Sequence, residues 1–242
     1  SSVVEKRNTL PILGHVKLEA TGNKLYLTAT DMDLSIRQEI GANVKHEGSI
    51  TVHSQTFSDI VRKISDKTIE MNFLAPSTQL EILAQNYNVT LSTLPAEEFP
   101  AMDYFTPKFE FKAPAKIITE LLECTKFAIS TEETRYNLNG VYFHSTPAEE
   151  KYYLAAAATD GHRLSTCTSS INVKEEFGII LPRKTVGEIY KVLKDSDLSD
   201  KDVVVSIGHN RIMFACAHII VISKLIEGSF PDYRVFLPVS NS

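Results

Sequence analysis

Residues 29–35 read ATDMDLS and residues 158–165 read ATDGHRLS, 129 positions further on in a chain of 242. A repeat of that period constrains the fold more than any other feature of the sequence. Two copies of one unit must bury two cores by the same pattern. Other features recur near the same offset. STLPAEEFP at 92–100 returns as SKLIEGSFP at 223–231, both of the form SxLx4FP, and Asp103-Tyr104 returns as Asp232-Tyr233. The apolar set Phe57, Ile60, Val61 and Ile64 has the spacing i, i+3, i+4, i+7, and Val186, Ile189, Tyr190 and Leu193 repeat it 129 residues later. RNTLP at 7–11 and RYNLN at 135–139 match more weakly.

Each copy reads as strands and helices in one order. In the second, Pro114 suits a first helical turn, and Ile117, Ile118, Leu121 and Leu122 carry a helix to about residue 127. Strands are expected at 140–144, 152–158 and 164–168, with a turn at Asp160-Gly161 and a second helix over 183–194. Strands follow at 203–207, 212–215 and 219–224. The first copy runs from Val16 through strands, a helix near 55–65, and strands at 68–74, 79–85 and 88–94. By the offset, the counterpart of the helix after Pro114 falls before Ser1, so the chain is expected to begin inside a domain. The fold class is α+β, two helices packed on antiparallel sheet in each domain, with domains at 1–107 and 108–242.

Composition excludes several classes. The formal charge is −5, so a polyanion partner needs a locally basic face. The three cysteines form no CxxC pair, which favours a reducing, cytoplasmic setting. No apolar run reaches membrane-span length, and there is no leader pattern, so no membrane partner is expected. No phosphate-binding GxxxxGK[ST] loop, HExxH or Cys-rich spacing occurs. Asp31 with Asp33, or Asp160 with His162, is the pairing a metal-dependent hydrolase would use. A scaffold that does not bind DNA is the third class. Salt separates the two binding classes, because phosphate contacts weaken as salt rises.

RNTLPIL at 7–13, RYNLNGV at 135–141, ATDGHRLS at 158–165, LPRK at 181–184 and SKLIEGSFPDYRVFLP at 223–238 together resemble the bacterial DNA polymerase III beta subunit family, the replication sliding clamps. The resemblance runs from Arg7 to Pro238. It implies the DNA clamp fold, with three domains per protomer and two protomers closed head-to-tail around duplex DNA. By it the chain holds most of a first domain, all of a second and none of a third, and would not close a ring alone. It further implies a processivity subunit of a DNA-directed DNA polymerase, without catalysis and with no cofactor or metal. The implied partners are duplex DNA without sequence preference, the polymerase III catalytic subunit, the clamp loader, and replication and repair proteins bearing short peptide motifs. Full-length protein would be a homodimer.

On this resemblance the DNA-facing residues are Arg7, with Arg62 and Lys63 on a helix of about 55–67 that also carries Lys67, and Arg183, Lys184, Lys191 and Lys194 on helix 183–194. Loop 131–134 corresponds to a second DNA-contacting loop, but Glu132 and Glu133 would repel phosphate. The peptide cleft maps to Leu138, Thr159, Gly161, His162, Arg163, Leu164 and Pro238. Leu138, Leu164 and Pro238 form its apolar floor, while Thr159, His162 and Arg163 form a polar rim. Asn137 stands where an aromatic is frequent in the family.

Overall fold

The computed structural model describes residues 3–4 and 10–237 of the chain. They form two compact units. One takes the chain up to Asp103 together with His218–Ile220, and the other takes Tyr104–Ala217 and the chain from Val221 on.

In the first unit, β1 (His15–Thr21), β2 (Lys24–Thr30), β3 (Leu34–Gly41) and β4 (Gly48–His53) precede helix α1 (Ser54–Lys63). Strands β5 (Glu70–Leu74), β6 (Gln79–Ala84) and β7 (Tyr87–Pro95) follow it. The order across the sheet is β5-β6-β7-β4-β1-β2-β3, antiparallel at each pairing. Val16 and Leu18 alternate inward along β1 and meet Val52, Leu80 and Ile82, with Phe57 of α1 laid over them. The Thr56 N–H donates to the His53 ring at 3.4 Å, capping α1, and Arg62 and Lys63 occupy its last turn, where cations complement the helix dipole. The helix stops at Lys63 because Ile64 is already extended, so Lys67 lies beyond it.

In the second unit, β8 (Phe109–Pro114) leads into α2 (Ala115–Thr125). Then come β9 (Gly140–Ala148), β10 (Lys151–Thr159), β11 (Leu164–Val173), β12 (Gly178–Pro182) and α3 (Arg183–Leu193). Strands β13 (Asp202–Ile207), β14 (Arg211–Cys216) and β15 (Ile219–Lys224) complete it. One sheet has the order β11-β10-β9-β12, and the strands β8-β13-β14-β15 lie side by side in the other. Ile226 bridges to Ile180 of β12. Pro114 and Pro182 each end a strand and sit immediately before a helix, where no N–H is required of them. Helices α2 and α3 pack on each other and on the four-stranded sheet. They bury Ile118, Leu121 and Leu122 of α2 and Val186, Ile189 and Leu193 of α3. Beneath them Leu154–Ala158 of β10 is buried without alternation, a run of small side chains that lets both layers approach closely.

The plan β1–β4, α1, β5–β7 recurs as β9–β12, α3, β13–β15, and the strand orders β3-β2-β1-β4 and β5-β6-β7 recur as β11-β10-β9-β12 and β13-β14-β15. Strand β7 pairs with β4, whereas among the described residues β12 has only the Ile226 bridge at that edge. The duplication read from the repeat is thus a duplication of hydrogen-bonded topology. Strands β8 and β12 were not expected from the sequence. No helix of the described residues is long and apolar enough to cross a membrane.

Candidate functional site

The repeated ATD phrase is a turn, built by the same bonds in both units. In the second, Thr159 Oγ1 donates to the Arg163 carbonyl at 2.7 Å and accepts the Gly161 N–H at 3.1 Å. Asp160 Oδ1 accepts the N–H groups of His162 and Arg163, both at 3.0 Å, while Oδ2 takes the Arg163 guanidinium at 2.9 Å. Those backbone donors, more than the guanidinium, hold the Asp160 carboxyl down at about 2. In the first unit Thr30 Oγ1 donates to the Leu34 carbonyl at 3.1 Å and accepts the Met32 N–H, and Asp31 Oδ1 accepts from Asp33 and Leu34.

The turns diverge in what they present. Gly161 has φ +88°, and a Cβ there would lie 2.7 Å from an Arg135 guanidinium nitrogen. The strand turn, Arg135 and Phe127 therefore converge, since the Arg163 guanidinium lies 5.7 Å from the Phe127 ring centroid. Phe127 is 58% exposed and Tyr136 is 60% exposed, the latter against Gly228. Asn137 Nδ2 donates to the Ser229 carbonyl at 2.9 Å, fixing the chain that follows β15. Of the expected cleft residues, Gly161, His162 and Arg163 are exposed, Thr159 and Leu164 are half-buried, and Leu138 is core. Pro238 lies outside the described residues. Sequence reasoning missed Arg135, Tyr136 and Phe127 as parts of this surface. The first two stand inside RYNLNGV, a phrase that signals the repeat but not the direction of its side chains. A cavity of about 470 Å³ lies elsewhere, between β8 and the end of β11, lined by residues that include Lys108, Phe109, Lys112 and Lys174.

The basic residues of α3 are not equivalent. Arg183 donates to the carbonyls of Ile129 and Ser130 at 2.9 and 2.8 Å, so its charge props the loop after α2. Lys191 pairs with Glu188 at 3.0 Å. Lys194 donates to the Tyr190 hydroxyl at 2.7 Å, and that hydroxyl donates to Glu123 of α2 at 2.6 Å. Lys126, which sequence reasoning did not single out, places its ammonium 3.1 Å from the Tyr190 ring centroid. The Tyr190 hydroxyl, and then Lys194, hold Glu123 below the usual carboxylate range, and the same contacts hold Lys194 above its own. Lys184 is half-buried, and Arg62 and Lys63 of α1 are exposed. Arg7 lies outside the described residues. In loop 131–134, Glu132 is paired with Arg135 at 3.3 Å.

The carboxylates imagined for a metal are occupied as turn caps: Asp31 and Asp160 each receive two backbone N–H groups. Among the described residues no group of three or more His, Cys, Asp or Glu side chains is placed to hold an ion.

Comparison with known proteins follows the same division of the chain. Residues 1–103 match the family description DNA polymerase III beta subunit, N-terminal domain, and residues 112–232 match DNA polymerase III beta subunit, central domain. The beta sliding clamp of Rickettsia bellii is 44% identical over 244 residues, spanning 100% of this chain and 63% of its own length. That of Escherichia coli K12 is 36% identical over 234 residues, 96% of this chain and 62% of its own. Among solved structures, the Bartonella birtlesii sliding clamp bound to griselimycin aligns over 99% of this chain and 64% of its own, with TM-score 0.90 at 37% identity. The Caulobacter crescentus polymerase III beta aligns over 100% of this chain and 65% of its own, with TM-score 0.91 at 35% identity. The chain thus spans a little under two thirds of the length of the relatives it matches.

Proposed function

This chain belongs to the DNA polymerase III beta subunit family, and from that premise we propose that it forms the first two domains, 1–107 and 108–242, of a sliding clamp. In this reading the full-length protein is a head-to-tail homodimer that encircles duplex DNA in the cytoplasm. It tethers the polymerase catalytic subunit and is opened and placed by a clamp loader. It does no chemistry of its own. What carries the reading is that two successive domain descriptions of one family fall on the two halves of a chain whose topology is itself duplicated.

The physics suits the role. A ring linked to DNA by topology requires no base readout and only weak phosphate contacts, which permit sliding. An acidic protein meets that need if the residues toward the duplex are basic. We assign this to Arg7, Arg62 and Lys63 in the first domain, and to Lys184, Lys191 and Lys194 in the second. Arg183 belongs with them chiefly as the prop of Ile129 and Ser130, which lead into loop 131–134. The exposed turn Gly161–Arg163, with Thr159, Leu164, Leu138 and Pro238, receives partner peptides. Gly161 lets a peptide backbone approach, and Arg135, Phe127 and Tyr136 extend the surface. Griselimycin, bound by the Bartonella birtlesii sliding clamp, can be titrated against this chain and its His162→Ala variant to test whether it uses that surface.

The test is fluorescence anisotropy with a labelled duplex across a salt series. Log affinity should fall linearly with log salt, and replacing Arg62 and Lys63 by Gln should make the slope shallower by roughly 0.9 for each phosphate no longer neutralised. Binding indifferent to salt would favour the scaffold reading instead. In parallel, His162→Ala should weaken a polymerase-derived peptide while leaving Tm unchanged. A large fall in Tm would show that His162 is a packing residue.

A further inference from the structure

Helix α2 presents Cys124 in its last turn, and β11 carries Cys167, 43 residues later in the chain. Burial alternates along β11. Ser165, Cys167, Ser169 and Ile171 are half-buried, whereas Thr166, Thr168, Ser170 and Asn172 face solvent. Ser165 Oγ donates to the Cys124 carbonyl at 2.6 Å, which sets the inward face of β11 under the end of α2. Cys167 is the next residue on that face, where α2 packs on β11, and the Cys124 thiol is among the groups that bear on its titration. Cys124 is exposed and Cys167 half-buried, while Cys216 is buried on β14.

We propose that Cys124 and Cys167 form a redox-active dithiol, a modification site that reacts with low-molecular-weight disulfides. Exposed Cys124 is the entry point. Its thiolate attacks one sulfur of the small disulfide, whose S–S bond breaks, leaving a mixed disulfide on Cys124 and a departing small thiolate. The Cys167 thiolate then attacks the Cys124 sulfur, and the second small thiolate leaves. The protein loses two electrons and two protons, and the small disulfide is reduced to two thiols. Burial first, and the neighbouring thiol next, hold Cys167 above the ordinary thiol range, so the closing step is slow at neutral pH and quickens as pH rises. Intracellular disulfides of this kind are usually transient and report redox state.

The probe is oxidised glutathione at mildly alkaline pH, with intact mass and peptide mapping after alkylation. The expected product has lost two hydrogens, carries a Cys124–Cys167 cross-link, leaves Cys216 as the alkylated thiol, and reverts with dithiothreitol. Cys167→Ser should instead accumulate a glutathione adduct on Cys124, and Cys124→Ser should give neither product. A wild-type chain that keeps the adduct on Cys124, or remains fully reduced while a small dithiol control is oxidised, overturns the proposal. The wild-type map decides the matter alone, so a poorly folded serine variant does not obscure it.

Discussion

Two residues show how one sequence phrase serves two ends. Met32 and Gly161 occupy the same place in the repeated turn, at φ +80° and +88°. The second position bears glycine, which adopts that conformation freely, while the first holds a side chain in a region unfavourable to L-residues. Met32→Gly should therefore stabilise the first domain by about 0.5–1 kcal/mol, relief of strain outweighing the greater freedom of the unfolded chain. Urea denaturation checks it, and a lower midpoint would refute it. Met32 looked unremarkable in the sequence because nothing in ATDMDLS signals a positive φ. His144 is a second case. Its Nδ1 lies 3.2 Å from the Tyr142 carbonyl, which only accepts, so Nδ1 bears the proton and Nε2 accepts from the Tyr233 hydroxyl at 2.9 Å. Burial, with Arg234 nearby, lowers its pKa to about 4. The unfolded chain takes up that proton nearer 6.5, so stability should fall as pH drops from about 6.5 to about 4, by up to about 3 kcal/mol. His144→Gln should flatten the dependence of Tm on pH in that window; an unchanged profile would show that other groups carry it.

At the scale of elements, α2 and α3 form one charged face in which acids are interleaved with bases. Glu123 of α2 reaches Tyr190 of α3 and Lys194 at its C-terminal end, and Glu188 holds Lys191. On the DNA-facing role proposed for Lys191 and Lys194, a phosphate would have to compete with these carboxylates, which would keep its hold loose. Glu123→Gln should tighten duplex binding by up to about threefold at low salt, since exposed charge pairs are weak and screened by salt. Lys194→Gln should cancel that tightening in the double variant. No change on removing Glu123, with weaker binding on removing Lys194, would show that the carboxylate does not mask the lysine. Both long helices of the second domain were legible from apolar spacing, because each buries one stripe against a sheet. Lys67 was placed on α1 by the same spacing, yet the chain turns extended at Ile64. Strand β12 escaped notice because GIILP is five residues with no alternation, and β8 because it borders a helix whose apolar pattern is the stronger signal. Gly140 sets how tightly β9 and β12 meet: a Cβ there would fall on the Leu181 carbonyl.

At the scale of the molecule, the chain matches two successive domain descriptions of one family and spans a little under two thirds of its relatives' length. We expect the purified chain to sediment as a monomer and to be lost from circular DNA, whereas the full-length clamp is retained. A stable dimer of this chain on analytical ultracentrifugation would contradict that. The sequence by itself determined the duplication, the α+β class, both α2 and α3, and the family. Each of these depends on which residues are apolar and how they are spaced, a one-dimensional property. Only the tertiary structure decided that Arg183 props a loop, that Glu123 reaches Lys194, that Arg135 and Phe127 join the turn at Gly161, and that Ser165 of β11 holds the end of α2 at Cys124. Those partners lie far apart along the chain, or on different elements, and side chains so separated meet only once the helices and sheets have packed.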